Sequence, residues 1–168
     1  GKDDAVDIGA ELSEGEGYKL LAPKVRPRKI DALCRNYPAQ WRESGADVPT
    51  EPIIFGKATT EGVGPEDDVG YSKWLTRVDP EAELAVVIGR TAFDVSAEQA
   101  LDHVAGAMPL NDVSARDLQL QNPLWTSGKA IDTFAPCGPA LVTLDEAGDL
   151  GDLAVRTRIN GEVVQEGS

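Results

Sequence analysis

The sequence predicts an α+β domain that is mainly β, on three observations. Residues 78–89, Val-Asp-Pro-Glu-Ala-Glu-Leu-Ala-Val-Val-Ile-Gly, open with carboxylates and run into a strongly β-prone apolar segment that closes on a glycine. Asn160-Gly161 separates two short β-prone runs and is a strong hairpin turn. One stretch has a clear helical signature: Ser96 as N-cap, a helix through about Val104, and Gly106 to close it.

The remaining elements follow in order. Residues 1–18 are polar, rich in Gly and Glu, and have little to bury. Leu20 and Leu21 lead into a proline-punctuated connection, so residues 1–28 are expected to be an N-terminal extension ahead of a domain over 29–168. Lys29-Ile30-Asp31-Ala32-Leu33-Cys34 predicts a short strand, followed by a loop and a short helix that Gly45 ends. Ile53-Ile54-Phe55 is the centre of a strand within residues 49–57, and residues 59–70, rich in Gly, Pro and acids, predict a loop. Residues 140–143 and 153–159 predict further strands, and 162–165 return from the hairpin. No internal repeat or low-complexity tract is evident.

Composition narrows the function. A chain of 168 residues is one ordinary domain, able to bury roughly 70% of its unfolded surface. It has no apolar run long enough to span a bilayer and no charged-then-apolar leader, so a soluble, cytoplasmic protein is expected. Cys34 and Cys137 lack metal-type spacing, and free buried thiols are expected. The net charge of −13 argues against nucleic acid or an anionic membrane as partner. An acidic surface of this kind also suits a high-salt cytoplasm.

In a strand, side chains alternate faces, which puts Glu81 and Glu83 on one side, roughly 7 Å apart at their Cα atoms. Two neighbouring carboxylates at the head of a buried strand need a shared proton, a basic side chain or a cation; a solvated strand end is the alternative. With only oxygen ligands on offer, a hard divalent ion such as Mg2+ is the usual solution. Polar groups also cluster over residues 111–119, where Asp112 is a candidate third oxygen ligand and Lys129 a candidate to face it.

Several signatures in fixed order carry a family resemblance. They are Arg35-Asn36-Tyr37, Pro52-Ile53-Ile54-Phe55-Gly56-Lys57, Glu81-Ala82-Glu83-Leu84-Ala85-Val86-Val87-Ile88-Gly89, Asn111-Asp112-Val113-Ser114-Ala115-Arg116-Asp117, Gly128-Lys129-Ala130-Ile131-Asp132-Thr133-Phe134 and Asn160-Gly161-Glu162. With them the chain resembles the fumarylacetoacetate hydrolase family from Lys29 to Ser168. The runs around Glu43 to Ala58 and Gly64-Pro65 look most like the branch of ureidoglycolate lyases and 2,4-diketo-3-deoxy-sugar-acid hydrolases. The resemblance implies a mixed β-roll or barrel, a homodimer and a small anionic substrate. It implies that Glu81, Glu83 and Asp112 hold Mg2+ or Mn2+, that Lys129 is catalytic, and that Arg116, Gln119 and Lys57 line the substrate pocket. It also implies a further stretch after Ser168 with a Thr-Gly-Thr-Pro loop, so the roll is expected to be incomplete at the C-terminus, as a fragment or a truncated product.

Two departures bear on the chemistry. Hydrolases of this family use a His–Glu pair three residues apart on a lid helix to activate water. Glu43 matches the glutamate and is a catalytic candidate, but Gln40 stands at the histidine's position and cannot accept a proton. His103, the only histidine, is expected to be a half-buried packing residue. Cys34 replaces the usual glycine, and a packed thiol is expected there. The implied function is metal-dependent hydrolysis of a C–C bond in a small diketo or 2-oxo acid. The alternatives are decarboxylation or keto–enol isomerisation of a similar acid, or a catalytically silent metal-binding subunit.

Overall fold

The computed structural model describes residues 19–23, 27–38, 45, 47, 49–121 and 123–167. Within them the mainly β, α+β architecture is built from strand pairs joined by short helices. Strand β1 (Ile30–Cys34) pairs antiparallel with β2 (Ile53–Lys57), so that Ile30 faces Lys57. The loop expected over 59–70 contains a two-residue strand, β3 (Gly62–Val63). It runs parallel to β8 (Ala135–Pro136).

The expected strand over 78–89 is interrupted. It forms β4 (Val78–Asp79) and β5 (Ala82–Ile88), with Pro80 and Glu81 between them. Proline has no N–H to give to a ladder, and the Glu81 N–H goes instead to the Asn111 side chain at 2.9 Å. Strand β4 pairs with β7 (Ser114–Ala115), and β5 pairs with β6 (Val104–Asn111), both antiparallel. In the β5–β6 register Ala82 faces Asn111 and Glu83 faces Leu110.

The expected α-helix over 96–104 is also corrected. Residues Ala97–His103 form a 3-10 helix with no buried residue, and Val104 already opens β6. A segment with no apolar face to bury gains little from extending its helix. Gly106 closes nothing. It lies inside β6, where a Cβ would stand 2.2 Å from the Val142 carbonyl oxygen, and only glycine permits that approach. The strand expected over 140–143 reduces to one bridge, Val142 to Ala107, before a helical turn at Leu144–Ala147.

The hairpin is present as β9 (Val155–Ile159) and β10 (Glu162–Gly167). Asn160 (φ 51°) and Gly161 (φ 87°) both adopt the positive φ that this turn requires. A small apolar cluster of Leu75, Val113, Ala115 and Phe134 forms around the β4–β7 pair, joined by Val69, Val78, Leu118 and Ile131. Both cysteines are free; Cys137 is buried and Cys34 half-buried. No helix among the described residues is long and apolar enough to cross a membrane.

Candidate metal centre

Three stretches of backbone bring the acids together. Glu81 sits in the break between β4 and β5, Glu83 lies one residue into β5, and Asp112 follows the end of β6. The Asp112 N–H donates to the Glu81 carbonyl at 2.9 Å, which locks the two segments side by side. One ligand oxygen from each of Glu81, Glu83 and Asp112 lies within 4.8 Å of the others. The interruption at Pro80 therefore does not undo the pairing expected of Glu81 and Glu83.

Two lysines are buried against these acids. The Lys129 ammonium donates to Glu81 Oε2 at 2.7 Å and to Asp112 Oδ2 at 2.6 Å. Lys57, at the end of β2, donates to Asp112 Oδ1 at 2.6 Å and to the Lys129 carbonyl at 2.8 Å. It also makes an ion pair with Glu61 Oε2 at 2.7 Å that lacks hydrogen-bond alignment. Asp112, Glu61, Lys57 and Lys129 are all buried. Lys129 reaches the cluster because the helical turn Thr126–Lys129 packs closely on Arg116–Gln119: a Cβ on Gly128 would meet the Ala115 carbonyl oxygen and the Gln119 nitrogen at 2.7 Å each. Its ammonium also lies 5.4 Å from the Phe55 ring centre.

Arg116 forms the outer wall. It contacts Glu81 Oε1 at 2.6 Å, donates to Asp79 Oδ2 at 2.8 Å, and donates to Gln119 Oε1 at 2.8 Å. Its neighbour Asp117 accepts from the Thr76 N–H and hydroxyl. Glu61 and Asp79 were not singled out from the sequence. Glu61 lay in a stretch read as loop, and no local spacing links it to Asp112, 51 residues on.

The electrostatics are unbalanced. With Asp79 neutralised by Arg116, four carboxylates (Glu61, Glu81, Glu83, Asp112) face two ammoniums (Lys57, Lys129), leaving two negative charges in excess when all are ionised. Among the described residues Glu83 makes no ion pair. Burial, then repulsion from Asp112 and Glu81, pushes its carboxyl up to about 7. Burial likewise raises Glu61. Each carboxylate oxygen on Lys129 keeps a second lone-pair site. An all-oxygen donor set with two charges to neutralise fits a hard divalent ion.

Of the remaining sequence candidates, Glu43 and Gln40 lie outside the described residues, as does most of the expected lid helix. Lys57 faces the buried carboxylates, and Gln119 is tied to the site through Arg116. His103 is half-buried at the end of the 3-10 helix, where its carbonyl accepts from the Gly89 N–H at 2.8 Å. The Cys34 thiol is pushed up to about 11 by burial, which keeps it protonated and unreactive at neutral pH.

The family model "Fumarylacetoacetate (FAA) hydrolase C-terminal" matches residues 29–168. The mitochondrial oxaloacetate tautomerase FAHD2A of Homo sapiens is 46% identical over 151 residues, covering 89% of this chain and 48% of that protein. The mitochondrial oxaloacetate tautomerase fahd2 of Xenopus laevis is 42% identical over 163 residues, 96% of this chain and 51% of that one. Among solved structures, the 2-hydroxyhepta-2,4-diene-1,7-dioate isomerase of Mycobacterium marinum superposes with a TM-score of 0.76 at 41% identity, covering 88% of this chain and 53% of that chain. This chain thus spans about half the length of the relatives it matches. The expected cytoplasmic location finds no support in those two relatives, whose names place them in mitochondria.

Proposed function

The chain belongs to the fumarylacetoacetate hydrolase family, and from that premise we propose that it acts as a keto–enol tautomerase or isomerase of a small anionic 2-oxo acid. The observation that carries the reading is Lys129, whose ammonium bridges Glu81 and Asp112 beside an uncompensated Glu83. That arrangement suits holding the oxygens of an anionic oxo acid and stabilising charge as it develops on them. The names of the relatives favour proton transfer over the hydrolysis that the sequence put first. Gln40 points the same way, because it leaves Glu43 without the histidine that activates water.

Glu81, Glu83 and Asp112 are the proposed holders of Mg2+ or Mn2+, which when bound would polarise a chelated 2-oxo acid and favour its enolate. Lys129 and Arg116 place fixed positive charge beside the same oxygens. Gln119, whose Oε1 is taken up by Arg116, keeps its amide N–H groups for a substrate carboxylate. In tautomerisation a proton leaves the carbon next to the carbonyl and another joins the carbonyl oxygen. Glu43 is the proposed base for the carbon-bound proton, and no water attacks. Lys57 acts on charge balance from beneath the site.

The test is a direct assay of enol–keto interconversion of oxaloacetate with Mg2+. The wild-type protein is expected to be active, and Lys129→Met to lose about 10²-fold or more. Acylpyruvate hydrolysis is expected to be slow and to gain at least about tenfold from Gln40→His. Fast wild-type hydrolysis with no tautomerase activity would overturn the reading.

A further inference from the structure

Strand β5 is paired with β6 along one edge, and among the described residues no strand ladder runs along its other edge. Two N–H groups on that open edge are nevertheless taken up, by side chains. The Leu84 N–H donates to the Tyr37 hydroxyl oxygen at 2.9 Å. At Ala82, the residue between Glu81 and Glu83, Gln165 makes both backbone bonds. Its Oε1 accepts from the Ala82 N–H at 2.8 Å, and its Nε2 donates to the Ala82 carbonyl at 3.1 Å. The amide stands in for the missing neighbour strand at one residue.

Two further features aim that amide. The Thr157 hydroxyl donates to Gln165 Oε1 at 2.7 Å and lies 3.2 Å from the Ala82 nitrogen, which fixes which end of the amide is the acceptor. The β10 strand also carries a bulge: Val163 faces Arg158 and Gln165 faces Thr157, so Val164 is the extra residue. A bulge resets the alternation of side chains. Here Gln165 and Thr157 become half-buried against β5 while Val164 and Glu166 stay exposed.

We propose that Gln165 is a positioning residue for the acid cluster: by clamping both polar groups of Ala82 it sets the separation and direction of the Glu81 and Glu83 carboxylates. The proposal rests on reading that cluster as a metal site. Groups that orient ligands without touching the ion commonly change affinity by about 10–100-fold when removed. A hairpin staple with no influence on the acids would lower stability and leave affinity alone.

The experiment is Mn2+ binding to the metal-free purified protein, followed by electron paramagnetic resonance well below each variant's melting temperature. Wild type is expected to bind and Glu83→Gln to lose binding. Gln165→Met is expected to weaken binding about 10–100-fold and to change the line shape of the bound ion. Thr157→Val, which keeps the amide but frees its orientation, is expected to cause a smaller, severalfold loss. Wild-type affinity in Gln165→Met, with Glu83→Gln still defective, overturns the positioning role and leaves the metal site standing. Absence of Mn2+ binding by the wild type overturns both. Should Gln165→Met fail to fold, Thr157→Val decides, a severalfold loss supporting the role and unchanged affinity overturning it.

Discussion

The apolar cluster of Leu75, Val113, Ala115 and Phe134 and the charged cluster of Lys57, Glu61, Asp112 and Lys129 are buried to the same degree and meet in one run of sequence. Asp112, Val113, Ser114 and Ala115 are consecutive, and all four are buried. The apolar cluster is held by contact area, which is non-directional, so its loss scales with volume removed. The charged cluster is held by partners at 2.6 to 2.7 Å, so removing a lysine leaves carboxylates ionised and buried without relief. Burial alone does not distinguish what a residue does. The balance of charge around it does.

Breaking the charged cluster should give the largest effect. Lys57→Met leaves Glu61 and Asp112 buried with one ammonium fewer in a cluster already in negative excess, and a loss of about 3–5 kcal/mol is expected, whereas Asp112→Ala is expected to lose Mg2+ binding. Urea denaturation and calorimetric titration measure the two. Near-normal stability in Lys57→Met would show that the acids take up protons instead of lying ionised. Phe134→Ala should be comparably costly, at about 3–5 kcal/mol, but while folded it should bind Mg2+ as wild type does. Altered affinity in that variant would show the two clusters to be mechanically coupled.

The smallest effect sharpens the comparison, because it comes from an acid with no cationic partner among the described residues. In the metal-free protein the Glu83 carboxyl is raised from its ordinary 4.5 to about 7. Over that interval the folded state keeps a proton that the unfolded chain has released. Its contribution to stability is therefore complete below about pH 4.5 and lost as pH rises through about 7. Thermal melts with chelator present should show stability falling across that window. Glu83→Gln should flatten part of the fall, and saturating Mg2+ should reverse it in the wild type. An unchanged slope in Glu83→Gln would mean that other acids, Glu61 first among them, carry the dependence.

Much of this site was legible because family signatures pinned Glu81, Glu83, Asp112, Arg116 and Lys129, which the fold then brought together from separate stretches. Strand β6 was not legible. Gly106 and Pro109 read locally as breakers, yet Gly106 is required by the Val142 backbone and Pro109 lies within the register opposite Leu84. Glu61 was hidden for a different reason. A lone acid in a Gly-rich stretch looks solvated, and only the tertiary partner Lys57 shows otherwise. Gln165 was read simply as the end of a strand, because a one-residue bulge leaves no mark in a hydrophobic pattern.

The β5–β6 register has a consequence for the order in which the chain folds. Pairing Ala82 with Asn111 closes a short loop, and that event alone draws Glu81, Glu83 and Asp112 together. The compensating contacts span mixed ranges: Lys129 lies only 17 residues from Asp112, whereas Lys57 lies 55 from Asp112 and Gln165 lies 83 from Ala82. Closing longer loops costs more entropy, and long-range contacts slow folding. Lys129 can therefore join Asp112 as early as the acids meet, but Lys57 and the Gln165 clamp arrive later, and the hairpin forms against part of its own repulsion. Dissolved salt or a divalent ion captured early would lower that barrier, making the ligand of the finished site an accelerator of its assembly.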